Sequence, residues 1–336
     1  MPDTSALGGL IEESERLTYL DPHRALSLAE EASRLAATSA DPVLASRAWR
    51  RYGSLLLAFG RIPDGQQAML NALKIAEAED IEFERGEIIQ EIASIYYTLG
   101  EYGEAIAYWG DCLDETHNAG FVLSTRIHAH IGLGQVYFAH ESFQMALAHH
   151  LQAQSLCTDE LHVDLRARVA INLTADYYKL HRYNDALAAL SLAEPLSVEA
   201  GNQEYLGEIL VYRCHIALDL GQLAAAHEYL AGAEALRRVW VWGEVSQQIT
   251  RGRLAMAEGD LAEARRCFAG ALARAEDMGS AHEVYQANHL LAQASQLAGD
   301  VADAERYHRR YQEVFNRIVR PATFAQLRAL EARLKR

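Results

Sequence analysis

One small residue recurs along this chain at nearly fixed intervals: Ala25, Gly65, Ala105, Ala146, Ala186, Ala226, Ala264 and Ala304. The steps are 40, 40, 41, 40, 40, 38 and 40 residues. Seven residues after each comes a second small position: Ala32, Ala72, Cys112, Ala153, Ala193, Ala233 and Ala271. Only the last copy departs, with Tyr311. Longer segments repeat around this frame. "ASIYYTLGEYGEAIAYWGDCL" from Ala93 aligns with "GQVYFAHESFQMALAHHLQAQ" from Gly134, matching Tyr96 to Tyr137, Tyr102 to Phe143 and Ala105 to Ala146. Thr174, Arg251 and Ala292 begin further copies. A period of this size means stacked supersecondary units, because one unit alone cannot bury its apolar face.

The pattern predicts that each unit is two antiparallel helices joined by a tight turn. Small residues let the helix backbones approach, and larger ones fill the gaps beside them. Five residues before the framing position stands Gly60, Gly100, Gly221, Gly259 or Gly299. Glycine suits a helix C-terminus because it takes positive φ without a Cβ clash.

These residues resemble the tetratricopeptide repeat (TPR) family. "LGEYGEAIAYWGDCL" fits that family's Gly-x-Tyr-x-x-Ala pattern, although the spacing here is longer than the family's usual period of about 34 residues. The resemblance covers nearly the whole chain. It implies an all-α, right-handed superhelix (an α-solenoid) of about eight TPR-like helix pairs, plus a C-terminal connector helix. Asp21-Pro22 reads as an N-cap followed by Pro at the first helical position, and the first unit as the cap of the array. Arg320-Pro321 marks the other boundary. The expected division is therefore a TPR superhelix over 1–320 and a connector or coiled-coil helix over 321–336.

Composition narrows the function classes. The chain has 336 residues, half of them apolar, and only 6 Pro. Its formal net charge of -15 argues against general binding of nucleic acid or anionic membrane, which needs a basic face. The tail differs from the body: from Asn316 onward come Arg317, Arg320, Arg328, Arg333, Lys335 and Arg336 against a single acid, Glu331. The cysteines Cys112, Cys157, Cys214 and Cys267 form no CxxC pair and read as buried, reduced thiols. "MPDTSALGGLIEESERL" has no basic segment followed by an apolar run, so no signal peptide is expected. No stretch approaches the ~18 apolar residues of a membrane helix. A cytoplasmic location is expected.

Chemistry-bearing motifs are missing from the sequence. It has no phosphate-binding Gly loop, no GxSxG and no HExxH. Five histidines fall close together, His128, His130, His140, His149 and His150. His128/His130 and His149/His150 diverge on a helix, so ordinary interior or surface histidine is favoured over a metal site. The Asn172 sequon lies within a predicted helix and is set aside. No catalysis, cofactor or metal is expected within these residues.

In the TPR family the first helix of each unit lines a concave groove. The resemblance carries Gln90, Ser94, Tyr97, His128, Gln135, Phe138, Arg168, Asn172, Tyr178, Tyr212, His215, Arg253, His289 and Gln293 onto that face. Arg can pair with a carboxylate, Asn and Gln with peptide amides, and Tyr offers area with a polar tip. Such a mix suits a peptide, protein or small polar ligand. The plainer alternative is that any exposed helix face is polar and that the aromatics seal neighbouring units. Trp240 and Trp242, in "RRVWVWGE", read as plugs of an inter-unit joint or as an aromatic contact for a partner.

Leu327, Leu330 and Leu334 in "FAQLRALEARLKR" have coiled-coil spacing. They read either as a cap on the last unit or as a dimer and connector seam. A cytoplasmic array of such repeats followed by Pro and this helix is similar to the N-terminal sensor region of bacterial signalling proteins, in which the connector leads into a diguanylate cyclase. That domain's Gly-Gly-Asp/Glu-Glu-Phe signature is absent. Related arrays occur in LuxR-type regulators of the maltose-sensor kind and in peptide-binding Rap-type regulators. The resemblance implies a non-catalytic sensor and protein-interaction module of cyclic di-GMP signalling. It would bind an effector in its groove and regulate an output domain through the C-terminal helix; pairing of that helix with a second copy and continuation into a longer protein belong to the same expectation. The alternative is a free-standing scaffold or adaptor that binds a partner peptide.

Overall fold

The computed structural model describes residues 4–114, 118–236 and 240–334, with the backbone alone at Thr4 and Ser5. Arg237, Arg238 and Val239 beside the tryptophans, and Lys335 and Arg336 of the basic tail, lie outside the described residues. The described residues form seventeen helices and no strand. In chain order these are α1 (Thr4–Arg16), α2 (Pro22–Ala36), α3 (Pro42–Ala58), α4 (Ile62–Ala78), α5 (Glu82–Leu99) and α6 (Tyr102–Cys112). Then come α7 (Leu123–Ala139), α8 (Phe143–Leu156), α9 (Val163–Lys179), α10 (Tyr183–Glu199), α11 (Gln203–Asp219) and α12 (Leu223–Ala235). The last are α13 (Val241–Glu258), α14 (Leu261–Asp277), α15 (Ala281–Leu297), α16 (Val301–Ile318) and α17 (Pro321–Leu334). The first sixteen make eight consecutive helix pairs, and every framing residue falls in the opening turns of a second helix.

Packing explains the frame. Ala25, Ala105, Ala146, Ala186, Ala226 and Ala264 are wholly buried, as are Ala32, Ala72, Ala153, Ala193, Ala233 and Ala271. A methyl is all that fits where two backbones meet. The core is built in steps, each from one pair and the first helix of the next. Ala170, Ile171 and Tyr178 of α9 pack with Ala186, Leu190 and Ala193 of α10 and with Ile209 and Ile216 of α11. Ala255 of α13, Phe268 of α14 and Leu291 of α15 make the equivalent cluster further on. In α16 Ala304 and Tyr311 are partly exposed.

Turn geometry follows the same frame. Gly60, Gly100, Gly221, Gly259 and Gly299 all have positive φ, between 70° and 84°. At two of the positions without glycine, Glu141 (φ 57°) and His181 (φ 55°) adopt the left-handed conformation instead. The turn is therefore imposed by packing of the pair, against an intrinsic cost of about 1–2 kcal/mol per residue. N-caps appear where the sequence placed one: Asp21 accepts from the backbone N of Arg24 with Pro22 at the first position, and Asp41 accepts from Val43 and Leu44 ahead of Pro42.

The chain divides into two compact units. Unit 1 comprises Met1–Tyr97, Tyr102–Leu133 and Gln326–Arg336; unit 2 comprises Thr98–Glu101 and Gly134–Ala325. A helix begins at Pro321, and boundaries between the units fall within α5, α7 and α17. In unit 1, Trp109 of α6 lies flat on Gly132 of α7, where a Cβ would come within 2.1 Å of the indole. Cys112, Cys214 and Cys267 are buried free thiols and Cys157 is half-buried; burial pushes the Cys214 thiol up to about 11. No helix among the described residues is long and apolar enough to cross a membrane.

Candidate ligand-binding face

In unit 1 the first-helix face is largely occupied by its own contacts. Gln90 is buried, and Ser94 donates to the Gln90 carbonyl one turn back at 3.1 Å. Tyr97 stacks on Tyr102 (5.3 Å between centroids) and lies 6.2 Å from Trp109, sealing its own helix pair. His128 on α7 is half-buried. Around them runs an ion-pair ladder that the sequence did not announce. Arg50 of α3 binds Glu84 at 2.8 Å and approaches Glu91 at 3.9 Å, Ser54 donates to Glu91, and Ser124 and Thr125 of α7 both donate to Glu87.

Unit 2 brings the expected residues together. His215 on α11 and Arg253 on α13 stand at equivalent positions, eleven residues before their framing alanines. Tyr178 sits one turn further along α9. Arg253 donates to the Tyr178 hydroxyl at 2.8 Å and to Asp219 Oδ1 at 3.2 Å. Tyr178 lies 6.2 Å from Tyr212 and 5.9 Å from His215, ring to ring. Burial pushes the Tyr178 phenol up to about 12, so it stays protonated.

The state of His215 follows from its partner. Thr250 Oγ1 gives its proton to the Ser246 carbonyl at 2.8 Å, so toward His215 Nε2, 3.0 Å away, it accepts. His215 therefore carries its proton on Nε2. Burial, reinforced by the charges of Arg253 and Lys179, holds its pKa well below the ordinary histidine value. His215 is a neutral donor at neutral pH.

Three residues joined the site without being foreseen: Lys179, Asp219 and Thr250. Lys179 and Asp219 occupy one repeat position, seven residues before Ala186 and Ala226; that shared phase was the available signal. The Lys179 side chain reaches solvent. Even so, the protein crowded about its ammonium, and then Arg253, lower its pKa. The ammonium lies 6.0 Å from the Phe143 ring centroid; on α15, burial lowers the pKa of His282 and His289, with Lys179 adding a smaller push in the same direction. Lys179 on α9, Asp219 on α11 and Arg253 on α13 thus put charges on one face.

The other expected residues divide into smaller groups. Gln135 donates to Asn172 Oδ1 at 3.2 Å while Asn172 donates to the Arg168 carbonyl at 2.8 Å, a pair of amides with donor capacity remaining. Phe138 packs edge-on against Phe143 at 5.2 Å. Gln293 donates to His289 Nε2, 2.9 Å away, and His289 lies 4.9 Å from Tyr311. Of the tryptophans, Trp242 packs on the cluster of Val245, Ile249 and Ala271, and the Trp240 backbone N donates to Glu204 at 2.9 Å. His150 is committed to Asp176, 2.5 Å away and fully buried. Among the described residues no group of three or more His, Cys, Asp or Glu is arranged to hold a metal ion.

The terminal seam also has a place. Leu327 (1 % exposed) and Leu330 (8 %) are buried in unit 1, where Leu330 meets α6 at Gly110, whereas Leu334 is 38 % exposed. In unit 2, Phe324 of the same helix meets Tyr137 edge-on at 6.1 Å.

No protein-family model and no curated protein matches the sequence. Solved structures do resemble it. The Rap conjugation gene regulator of plasmid pLS20, in complex with the Phr* peptide, is 16 % identical with a TM-score of 0.65, over 79 % of this chain and 72 % of that one. A Rap protein complexed with competence and sporulation factor is 14 % identical with a TM-score of 0.62, over 94 % and 99 %. Aspartyl phosphate phosphatase F from Bacillus subtilis is 13 % identical with a TM-score of 0.59, over 94 % and 95 %. At these identities the likeness establishes the fold: the chain is a TPR-like helical-repeat protein, an α-solenoid.

Proposed function

We propose that the protein is a non-catalytic regulatory module that binds a peptide, or a peptide-like segment of a protein, along the first-helix face of unit 2. The observation that carries this reading is the convergence of Tyr178, Tyr212, His215 and Arg253, joined by Lys179, on one polar and aromatic surface. They contribute separate kinds of contact: aromatic area, a neutral imidazole whose N–H is held by Thr250, and exposed positive charge. The Gln135–Asn172 amides beside them have the chemistry to pair with a peptide backbone. Two of the similar solved structures are described as complexes, one with the Phr* peptide and one with competence and sporulation factor, which supports extending the reading to this chain.

Regulation of an output partner is the further part of the proposal. The diguanylate cyclase connection rests on the resemblance of the tail alone, and none of the three solved structures reported above is described as one. The test is to pan a synthetic library of five- to ten-residue peptides against the full chain and titrate the best binder by fluorescence polarisation. Replacing Tyr212 and Arg253 with alanine is expected to weaken that binder at least tenfold, about 1.4 kcal/mol. A library without a specific binder, or an unchanged affinity, overturns the reading.

A further inference from the structure

The second helix of each repeat turns one side away from the core. The positions two, five, six, nine and twelve residues after the framing residue fall on that side. In α16 they are Arg306, Arg309, Arg310, Glu313 and Asn316; in α4 they are Gln67, Leu70, Asn71, Lys74 and Glu77. The fold therefore accepts charge there. In α10 the same positions are Ala188, Ser191, Leu192, Pro195 and Val198, all exposed and none charged. Leu192 is 57 % exposed and Val198 62 %, with Leu187 beside them at 39 %. The core lies on the other side, through Ala186, Leu190 and Ala193. Pro195 sharpens the point. Inside a helix a proline costs about 3 kcal/mol by removing a hydrogen bond, here the one to the Ser191 carbonyl. A contiguous apolar stripe held in water marks an interaction surface.

The stripe reads alike from both ends. Ser191 is its centre, with Leu187 and Pro195 four residues to either side. Beyond them stand exposed charges of opposite sign, Arg182 at the N-cap and Glu199 in the last position of the helix. Arg182 bonds Asp185 at 2.7 Å and keeps further guanidinium donors; Glu199 has no ion pair among the described residues. Laid antiparallel on a copy of itself about Ser191, α10 sets Leu187 against Pro195 and brings Arg182 within a residue of Glu199. Each positive N-terminus then lies beside a negative C-terminus, and the small Ala188 and Ser191 let the axes approach. α8 has the same design. Met145 and Leu151, 36 % and 40 % exposed, stand three residues to either side of Ala148, and α8 bears no Asp, Glu, Lys or Arg.

We propose that this face joins two copies of the chain in a two-fold dimer, α10 against α10 and α8 against α8. A two-fold contact requires a patch that complements itself. Opposite charges placed evenly about one centre meet that requirement, and a patch shaped for a different protein does not need them. The dimer uses second helices only, so the first helices that carry the proposed peptide face stay free. It involves neither α17 nor its leucines.

Sedimentation of the full chain over a micromolar concentration series is expected to show a monomer–dimer equilibrium. Arg182→Glu and Glu199→Arg, made in separate chains, should each weaken dimerisation at least about tenfold, because each sets like charges together at both ends of the contact. Mixed one to one, the two variants should pair again as tightly as the original chain, since every end contact then unites opposite charges. A chain that stays monomeric, a dimer that neither reversal weakens, or a mixture that does not recover overturns the proposal. Circular dichroism melts identify the variants as folded. A second measurement needs neither reversal: Ser191→Cys, at the two-fold axis, should give a disulfide-linked dimer under mild oxidation, and a yield no greater than the unaltered chain gives overturns the proposal as well.

Discussion

Arg253 on α13 donates to the hydroxyl of Tyr178 on α9, 75 residues earlier in the chain, at 2.8 Å. The bond spans the intervening first helix, α11, and takes in Asp219 from it at 3.2 Å. Three successive repeats are thereby tied on the proposed binding face, and the tie predicts a cost for cutting it. Arg253→Met should lower stability by about 1–2 kcal/mol, the usual range for one or two partly buried hydrogen bonds. Urea unfolding followed by circular dichroism measures it. A loss under a few tenths would mean that the bonds are replaced by water without cost.

His215 predicts a pH dependence with a definite sign. Its folded pKa lies well below the ordinary value, so the unfolded chain binds this proton more readily. Its contribution is therefore complete above about pH 6.5 and falls as pH drops from there toward the folded pKa. His140, His282 and His289 are lowered in the same direction, chiefly by burial, so the protein should lose stability as the pH falls below about 6.5. His215→Gln should make that decline shallower, as seen in urea midpoints across the range. An unchanged slope would remove His215 from the explanation.

The framing column predicts a contrast within one substitution type. Ala186→Leu and Ala226→Leu insert three carbons where backbones meet and should cost about 1–3 kcal/mol or more by overpacking. Ala304→Leu is partly exposed in the last pair and should be close to neutral. Thermal melts of the three variants, compared side by side, decide whether the frame acts through contact or merely through helix propensity.

Gly100 predicts a second contrast. It has φ of 79°, and a Cβ there would come within 2.5 Å of Ile318 Cγ2 and 2.8 Å of Ala281 Cβ. Gly259, with φ of 84°, has open space around it. Gly259→Ala should cost about 1–2 kcal/mol from backbone strain alone. Gly100→Ala should cost clearly more, read as a larger fall in melting temperature.

The buried His150–Asp176 pair predicts the largest single loss. Both side chains are at most 1 % exposed, and His150 Nε2 would lie 2.3 Å from a Cβ on Gly134. Removing one partner strands the other in the interior, which typically costs about 3–5 kcal/mol. Asp176→Ala should therefore leave the chain barely folded at room temperature, whereas the double replacement with His150→Leu should recover part of the loss.

What the sequence disclosed and what it withheld have physical reasons. Ala105 and Ala146 were legible because close backbone approach demands a small residue at one phase of every repeat, and a demand that recurs leaves a visible period. Glu141 was not legible as a left-handed turn, because tertiary packing overrides a local preference that points the other way. The first-helix assignment placed Tyr178, Tyr212, His215 and Arg253 on one face because their direction follows from helix phase, and the structure brings them together. Their bonds to Asp219 and Thr250 depend on how far one repeat is rotated against the next, and no single segment encodes that. Leu327 and Leu330 announced a helix in need of an apolar partner; only the three-dimensional arrangement names α6.

The alanine column has a mechanical corollary. A pair of helices in contact through methyl groups has no side chain to swing aside, so each pair behaves as a stiff plate. Compliance then concentrates at the connections between plates, where Gly201 and Gly279 take positive φ freely and Asp80 does so without glycine's latitude. At these connections Gly201 and Gly279 can vary φ over a wide range, whereas Asp80 is confined to the narrow left-handed basin.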